Sequence, residues 1–199
     1  MSKNTAIISI IVTGFIGLFI GWSVGQQPLP FYRVGMSMGG GMMGHGASIR
    51  NDADFLMEMI PHHQEAVETS RYVLSRTNDA ELMGFLQGII DAQTTEIEQM
   101  KRWHKEWFGT EYKDDGRYRS MMPNLNGLTD KQLAPAYLQG MIMHHMGAID
   151  MARTITSITN RQELKDFSAT IIRVQSDEIE AMLGWLSGFA GGAMPMMVH

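Results

Sequence analysis

Residues 55–74 read FLMEMIPHHQEAVETSRYVL, and residues 137–156 read YLQGMIMHHMGAIDMARTIT. Sliding the chain by 82 positions aligns 55–109 with 137–191 without a gap, with 22 identities in 55 positions. The downstream strings agree as well, ELMGFLQGIIDAQTTEIEQMKRW at 81–103 against ELKDFSATIIRVQSDEIEAMLGW at 163–185. A unit this long that occurs twice is no solenoid repeat; it marks two halves of one domain.

Each half has the pattern of a helical hairpin. Phe55, Met59, His62, Ala66 and Val73 recur at three- and four-residue spacing, the period of one helix face. The following helix carries Leu82, Phe85, Ile89, Gln93, Glu96, Met100 and Trp103 on one stripe, repeated as Leu164, Phe167, Ile171, Gln175, Glu178, Met182 and Trp185. Asn78 with Glu81, and Asn160 with Glu163, read as helix starts with their capping partners. Pro61 is expected to kink the first helix, because it removes a backbone hydrogen bond; Met143 holds the equivalent place in the second half. A polar stretch, 109–128, joins the halves, and Thr129 with Gln132 reads as the next start, blurred by Pro135. Two such hairpins predict an all-α four-helix bundle over residues 51–190 with a pseudo-two-fold axis.

Around the bundle lie segments of other character. No charge occurs between Lys3 and Arg33, and Thr5 to Val24 is almost wholly apolar or small. Twenty helical residues span about 30 Å, a bilayer core. Residues 1–25 therefore read as a transmembrane anchor, with Lys3 on the cytoplasmic side and the domain on the periplasmic side. Cleavage after Ser23-Val24-Gly25 is the alternative and would release a secreted form. Residues 26–50 form a linker rich in glycine, with Pro28 and Pro30, that carries Met36, Met38, Met42, Met43 and His45. The tail, 191–199, repeats the idea with Met194, Met196, Met197 and His199.

Composition narrows the chemistry. The 199 residues include 19 Met, where roughly five is ordinary, and no Cys. Disulfides and thiolate chemistry are thereby excluded. A net charge of −5 without a Lys/Arg cluster offers no footprint for nucleic acid. Methionine in a helix is usually core filler, but a glycine-rich linker has no face to bury it against. Thioether and imidazole on flexible backbone suit a soft monovalent ion, copper(I) or silver(I).

Within the bundle, four of the seven histidines form the doublets His62-His63 and His144-His145. Met59 precedes the first doublet by three and four residues, and Met141 the second, so each can share a surface with its imidazoles. Met143 and Met146 flank the second doublet. These eight residues are the candidate metal ligands. Gln93, Glu96, Gln175 and Glu178 stand among apolar residues, and a buried carboxylate without a partner costs on the order of several kcal/mol. Pairing His62 with Glu96 and His144 with Glu178 answers that cost. The pairs serve either as plain architecture or as hydrogen bonds that orient ligating imidazoles.

The strings MIPHHQEAV and MIMHHMGAI, with QTTEIEQMKRW and QSDEIEAMLGW, resemble a bacterial family of ferritin-like four-helix bundles. Its described members include secreted or periplasmic copper-binding proteins, some able to take silver. The resemblance covers about residues 51–190 and leaves out the anchor and the linker. It implies metal handling and copper tolerance, carried by Met59, His62, His63, Met141, His144 and His145.

The expected function is extracytoplasmic capture and sequestration of the ion, without catalysis, with another metal-handling protein as a candidate partner. Two rivals belong to other classes. One is an interaction module with a structural His–Glu core. The other is a dinuclear-metal oxidase-type enzyme, which would carry Glu-x-x-His on two helices; neither doublet has one.

Overall fold

A computed structural model describes residues 49–190. Among these the chain forms four helices and no strand: α1 Asp52–Leu74, α2 Ala80–Phe108, α3 Asp130–Ile158 and α4 Gln162–Ala190. No described helix is long and apolar enough to cross a membrane. The segment Thr5–Val24, the 26–50 linker up to residue 48 and the 191–199 tail lie outside the described residues.

The helix ends follow local chemistry. Asn51 caps α1 by accepting the Asp54 N–H at 2.9 Å, and Asp52 and Asp54 place negative charge on the first turn. The α2 cap falls one residue beyond the expected Asn78: Asp79 accepts the Leu82 N–H at 2.9 Å. Likewise α4 starts at Gln162, two residues past Asn160, after Thr159 Oγ1 has taken the Arg161 N–H at 3.1 Å. Thr129 and Gln132 do form their pair, with Gln132 Oε1 accepting the Thr129 N–H at 3.1 Å. Pro135 lies inside α3, and α1 runs through Pro61 without interruption. Gly109 ends α2 at φ 75°, a left-handed conformation suited to glycine.

Within each half the helices pair as an antiparallel hairpin, and the halves meet through α1 and α3. Two contacts between the helices and one just beyond the end of α3 fix an antiparallel α1/α3 crossing. Asp52 Oδ2 meets Arg161 Nε at 3.1 Å, His62 meets His144, and Ser70 Oγ meets Tyr137 Oη at 2.7 Å. On the far side α2 and α4 are joined by two edge-to-face pairs. Trp103 lies against Phe167 at 5.1 Å and Phe85 against Trp185 at 4.8 Å, centroid to centroid. The 82-residue shift converts one pair into the other, so the duplication is written into the packing. Each such pair contributes about 0.5–1.5 kcal/mol beyond its buried area.

Two apolar clusters fill the ends of the bundle. Phe55, Met59, Met100, Met151, Ile155 and Ile171 belong to one; Leu86, Ile89, Tyr137, Leu138, Met141 and Met182 belong to the other. Complete burial of each large side chain stabilises by about 1.5–3 kcal/mol. The histidines occupy the middle, between the clusters.

Candidate metal centre

All four doublet imidazoles have no solvent exposure. The rings of His62 and His144 lie 3.6 Å apart at 34°. These residues are equivalents in the duplication, and a residue that touches its own equivalent sits on the symmetry axis. The pseudo-two-fold therefore passes through this contact.

The second imidazole of each doublet points elsewhere. His63 Nε2 lies 2.9 Å from Glu96 Oε2, and His145 Nε2 lies 2.6 Å from Glu178 Oε2. The pairing expected from sequence, His62 with Glu96 and His144 with Glu178, is thus off by one residue. The reason is that α1 and α3 each have two buried faces. Neighbouring residues are separated by about 100° on a helix. The first His of a doublet faces the sister half, and the second faces the helix of its own hairpin. Gln93 and Gln175 stand beside this layer, each 3% exposed. Their Oε1 atoms, and Nδ1 of His63 and His145, are buried without a hydrogen-bond partner among the described residues.

The methionines divide by depth. Met59 and Met141, one on each side of the axis, are fully buried three residues before their doublets, and Met100 and Met182 are fully buried in the core clusters. Met143 is half-buried, and Met146 is 52% exposed, at the surface of α3. Met36, Met38, Met42, Met43, His45, Met194, Met196, Met197 and His199 lie outside the described residues.

Nothing in the residue pattern singles out Glu65 or residues 118–122. The connection between the halves passes over the α1/α3 groove as a strap, and Glu65 holds it there. Its carboxylate accepts the Tyr118 hydroxyl at 2.6 Å, the Met121 N–H at 3.0 Å, the Met122 N–H at 3.2 Å and the Ser120 hydroxyl. His144 Nε2 lies 3.3 Å from the same carboxylate, off the line of a good hydrogen bond. Burial would raise the Glu65 carboxyl; contacts from His144, Ser120, Tyr118 and Met121 outweigh it and bring the pKa down to about 2. Burial pushes the His144 imidazole down to about 4, against the pull of Glu65. Burial and Glu65 drive the Tyr118 phenol far up, so it remains a donor.

The strap also needs clearance on α3. A Cβ at Gly140 would collide with Pro123, and one at Gly147 would lie 2.9 Å from Met121 Cε. Glycine at these positions lets the strap approach the helix backbone. Gly147 is the duplication equivalent of Glu65. This departure from the repeat, anchor in one half and clearance in the other, marks where the strap crosses.

Among the described residues no three His, Asp or Glu side chains are grouped to hold a metal ion. Met59 and Met141 stand three residues before the two doublets on the same helices.

Residues 52–186 match the family described as "Domain of unknown function (DUF305)". No curated protein sequence matches the chain. Among solved structures, CopM in its Cu(I)-bound form is similar with a TM-score of 0.65 and 29% identity, covering 71% of this chain and 99% of CopM. CopM soaked with silver gives a TM-score of 0.63 and 30% identity over 70% of this chain and 96% of CopM. A DUF305 protein from Streptomyces coelicolor, described as secreted, gives a TM-score of 0.63 and 29% identity over 72% of this chain and 94% of its own.

Proposed function

Because the chain belongs to the DUF305 family, we propose that it binds and sequesters a soft metal ion, copper(I) or silver(I), through methionine and histidine outside the cytoplasm. One observation carries the reading. Four imidazoles with no exposure gather about the pseudo-two-fold axis, with the fully buried thioethers of Met59 and Met141 on the same helices. Cu(I) and Ag(I) favour such donors, and thioether needs no deprotonation. CopM, bound to Cu(I) and to silver in the similar structures, supports the choice of ion.

The donors have separate tasks in this reading. Met59, His62, His63, Met141, His144 and His145 supply the holding site, with Met143 and Met146 toward the surface. Glu96 and Glu178 orient His63 and His145, and Gln93 and Gln175 complete that polar layer. The methionines and histidines of 26–50 and 191–199 collect the ion. The apolar Thr5–Val24 segment and the secreted description of the Streptomyces coelicolor relative support an extracytoplasmic setting, with an anchor in the membrane. The task is capture and holding rather than turnover, with another metal-handling protein as the candidate partner.

A second reading has one observation in its favour. The His63–Glu96 and His145–Glu178 pairs satisfy one another without a metal, as in an interaction module with a structural core. Competition of the protein with a colorimetric chelator for Cu(I), beside a His62→Ala/His144→Ala variant, separates the two. Tight binding that the variant loses in part supports the metal site. Equal binding by variant and parent, or none by either, leaves the doublets as architecture.

A further inference from the structure

The space above Gly147 is shared by two donors from different parts of the chain. An ideal Cβ at that position would lie 3.1 Å from Met121 Sδ and 3.4 Å from His62 Nε2. The thioether reaches this point from the strap and the imidazole reaches it from α1. Helix α3 forms the floor, kept low by the missing side chain. Imidazole nitrogen binds a metal such as zinc at about 2.0–2.1 Å. Sharing an ion at such distances requires the two donors to close in on it from opposite parts of the chain. Methionine, with three rotatable bonds and a polarisable sulfur, can make that movement.

The duplication explains why this arrangement occurs on one side only. Positions 65 and 147 are equivalents, and both face the strap where it crosses the pseudo-axis. One strap cannot use both in the same way. Glu65 fixes its backbone, through the Met121 N–H at 3.0 Å and the Met122 N–H at 3.2 Å, and stands beside His144 at 3.3 Å. Gly147 leaves room for the Met121 side chain beside His62. Two imidazoles related by the repeat are thereby given different neighbours, a carboxylate for His144 and a thioether for His62. The Tyr118 and His62 rings meet in a T-shaped pair, with centroids 6.1 Å apart, which closes the flank.

We infer that Met121 is a metal ligand: the first soft ion is held between Met121 Sδ and His62 Nε2 above Gly147, with the strap as a built part of the site. The inference rests on the proposed function and adds a ligand, a location and an asymmetry to it.

Silver(I) is the probe, since it does not change oxidation state on binding. The full chain in detergent, labelled with [13Cε]methionine, is titrated with Ag(I), and the Met121 methyl resonance is identified by its loss in Met121→Leu. The Met121 resonance is expected to move with the first equivalent, and Met121→Leu to bind that equivalent about tenfold more weakly or worse, by the usual effect of losing support around a metal. Gly147→Ala keeps the thioether but fills its space, and should weaken the first equivalent likewise. Its clash is with the far end of a flexible side chain, so the bundle should still form; circular dichroism checks both variants. A Met121 resonance that stays still while the first equivalent binds overturns the inference and leaves the proposed function standing. Unchanged affinity in either variant does the same. Absence of Ag(I) binding by the parent chain overturns both.

Discussion

His62 and His144 are the same position of a duplicated hairpin, and their rings touch at 3.6 Å on the axis that relates the two halves. Two like imidazoles at that distance, both without solvent exposure, cannot both carry charge. At most one of the two rings can be charged, and burial holds His144 well below the usual imidazole range.

Acid should weaken the bundle before ordinary carboxylates titrate. The His144 pKa falls from 6.5 to about 4 on folding, so the unfolded chain binds more protons between those values. Its contribution is complete above about pH 6.5 and is lost as the pH falls toward 4, on the order of 2–3 kcal/mol at about 1.4 kcal/mol per unit. Glu65, lowered from 4.5 to about 2, acts in the same direction over its own lower window. Urea melts of metal-free protein should show the midpoint falling between pH 7 and pH 4. A flat midpoint over that range would mean that His144 is charged or solvated in the native state.

The strap should be released by the smallest change to its anchor. Glu65→Gln keeps the shape but removes the charge and turns part of an acceptor into a donor among Tyr118, Ser120, Met121 and Met122. Buried donors left unsatisfied cost about 1–3 kcal/mol each where water cannot replace the lost partner. Faster hydrogen exchange at the Met121 and Met122 amides, and faster tryptic cleavage after Arg117 or Arg119, are the expected signs, with the helices retained. Parent-like exchange at both amides would show that the strap is held by its apolar contacts alone.

Much of this architecture was legible because duplication turns one pattern into two. The stripes of Leu82 to Trp103 and of Leu164 to Trp185 already placed two equivalent helices in one bundle, and the aromatic pairs Trp103–Phe167 and Phe85–Trp185 meet across it. The error over Glu96 has a physical source. A single stripe per helix assigns one inward direction, but α1 packs on both α2 and α3, so both residues of a doublet are inward. The strap was illegible for a different reason. Residues 109–128 have no period, and their placement rests on long-range contacts, the acceptor Glu65 hidden among the polar residues of α1 and the burial of Met122 and Leu125 in a core cluster. The cap at Asp79 instead of Asn78 is a choice between adjacent good acceptors that local sequence alone leaves open.

The two His–Glu pairs should reveal whether they orient ligands. Glu96→Gln and Glu178→Gln each replace a carboxylate that meets a fully buried imidazole, at 2.9 and 2.6 Å. If these carboxylates fix imidazoles for a metal, each variant should lose about 10–100-fold in Ag(I) or Cu(I) affinity, with a smaller proportional effect on stability. Chelator competition alongside thermal melts measures both. A fall in melting temperature with parent-like affinity would assign the pairs to architecture and return His63 and His145 to the core.

The pH dependence of metal release tests the thioethers themselves. An ion held by exposed imidazoles alone would meet proton competition below about pH 6.5, near tenfold per unit for each histidine. Here burial has already moved His144 to about 4, so protons compete for it only at lower pH. Methionine sulfur takes no proton in this range, and Met59 and Met141 have no exposure. Affinity for Ag(I) should therefore fall by less than about tenfold between pH 7 and pH 5, where a site of two ordinary imidazoles would lose far more. Competition against a thioether chelator, whose own affinity is insensitive to pH, gives the comparison directly. Complete release by pH 6 would remove methionine from the ligand set and leave titrating imidazoles as the whole of the site.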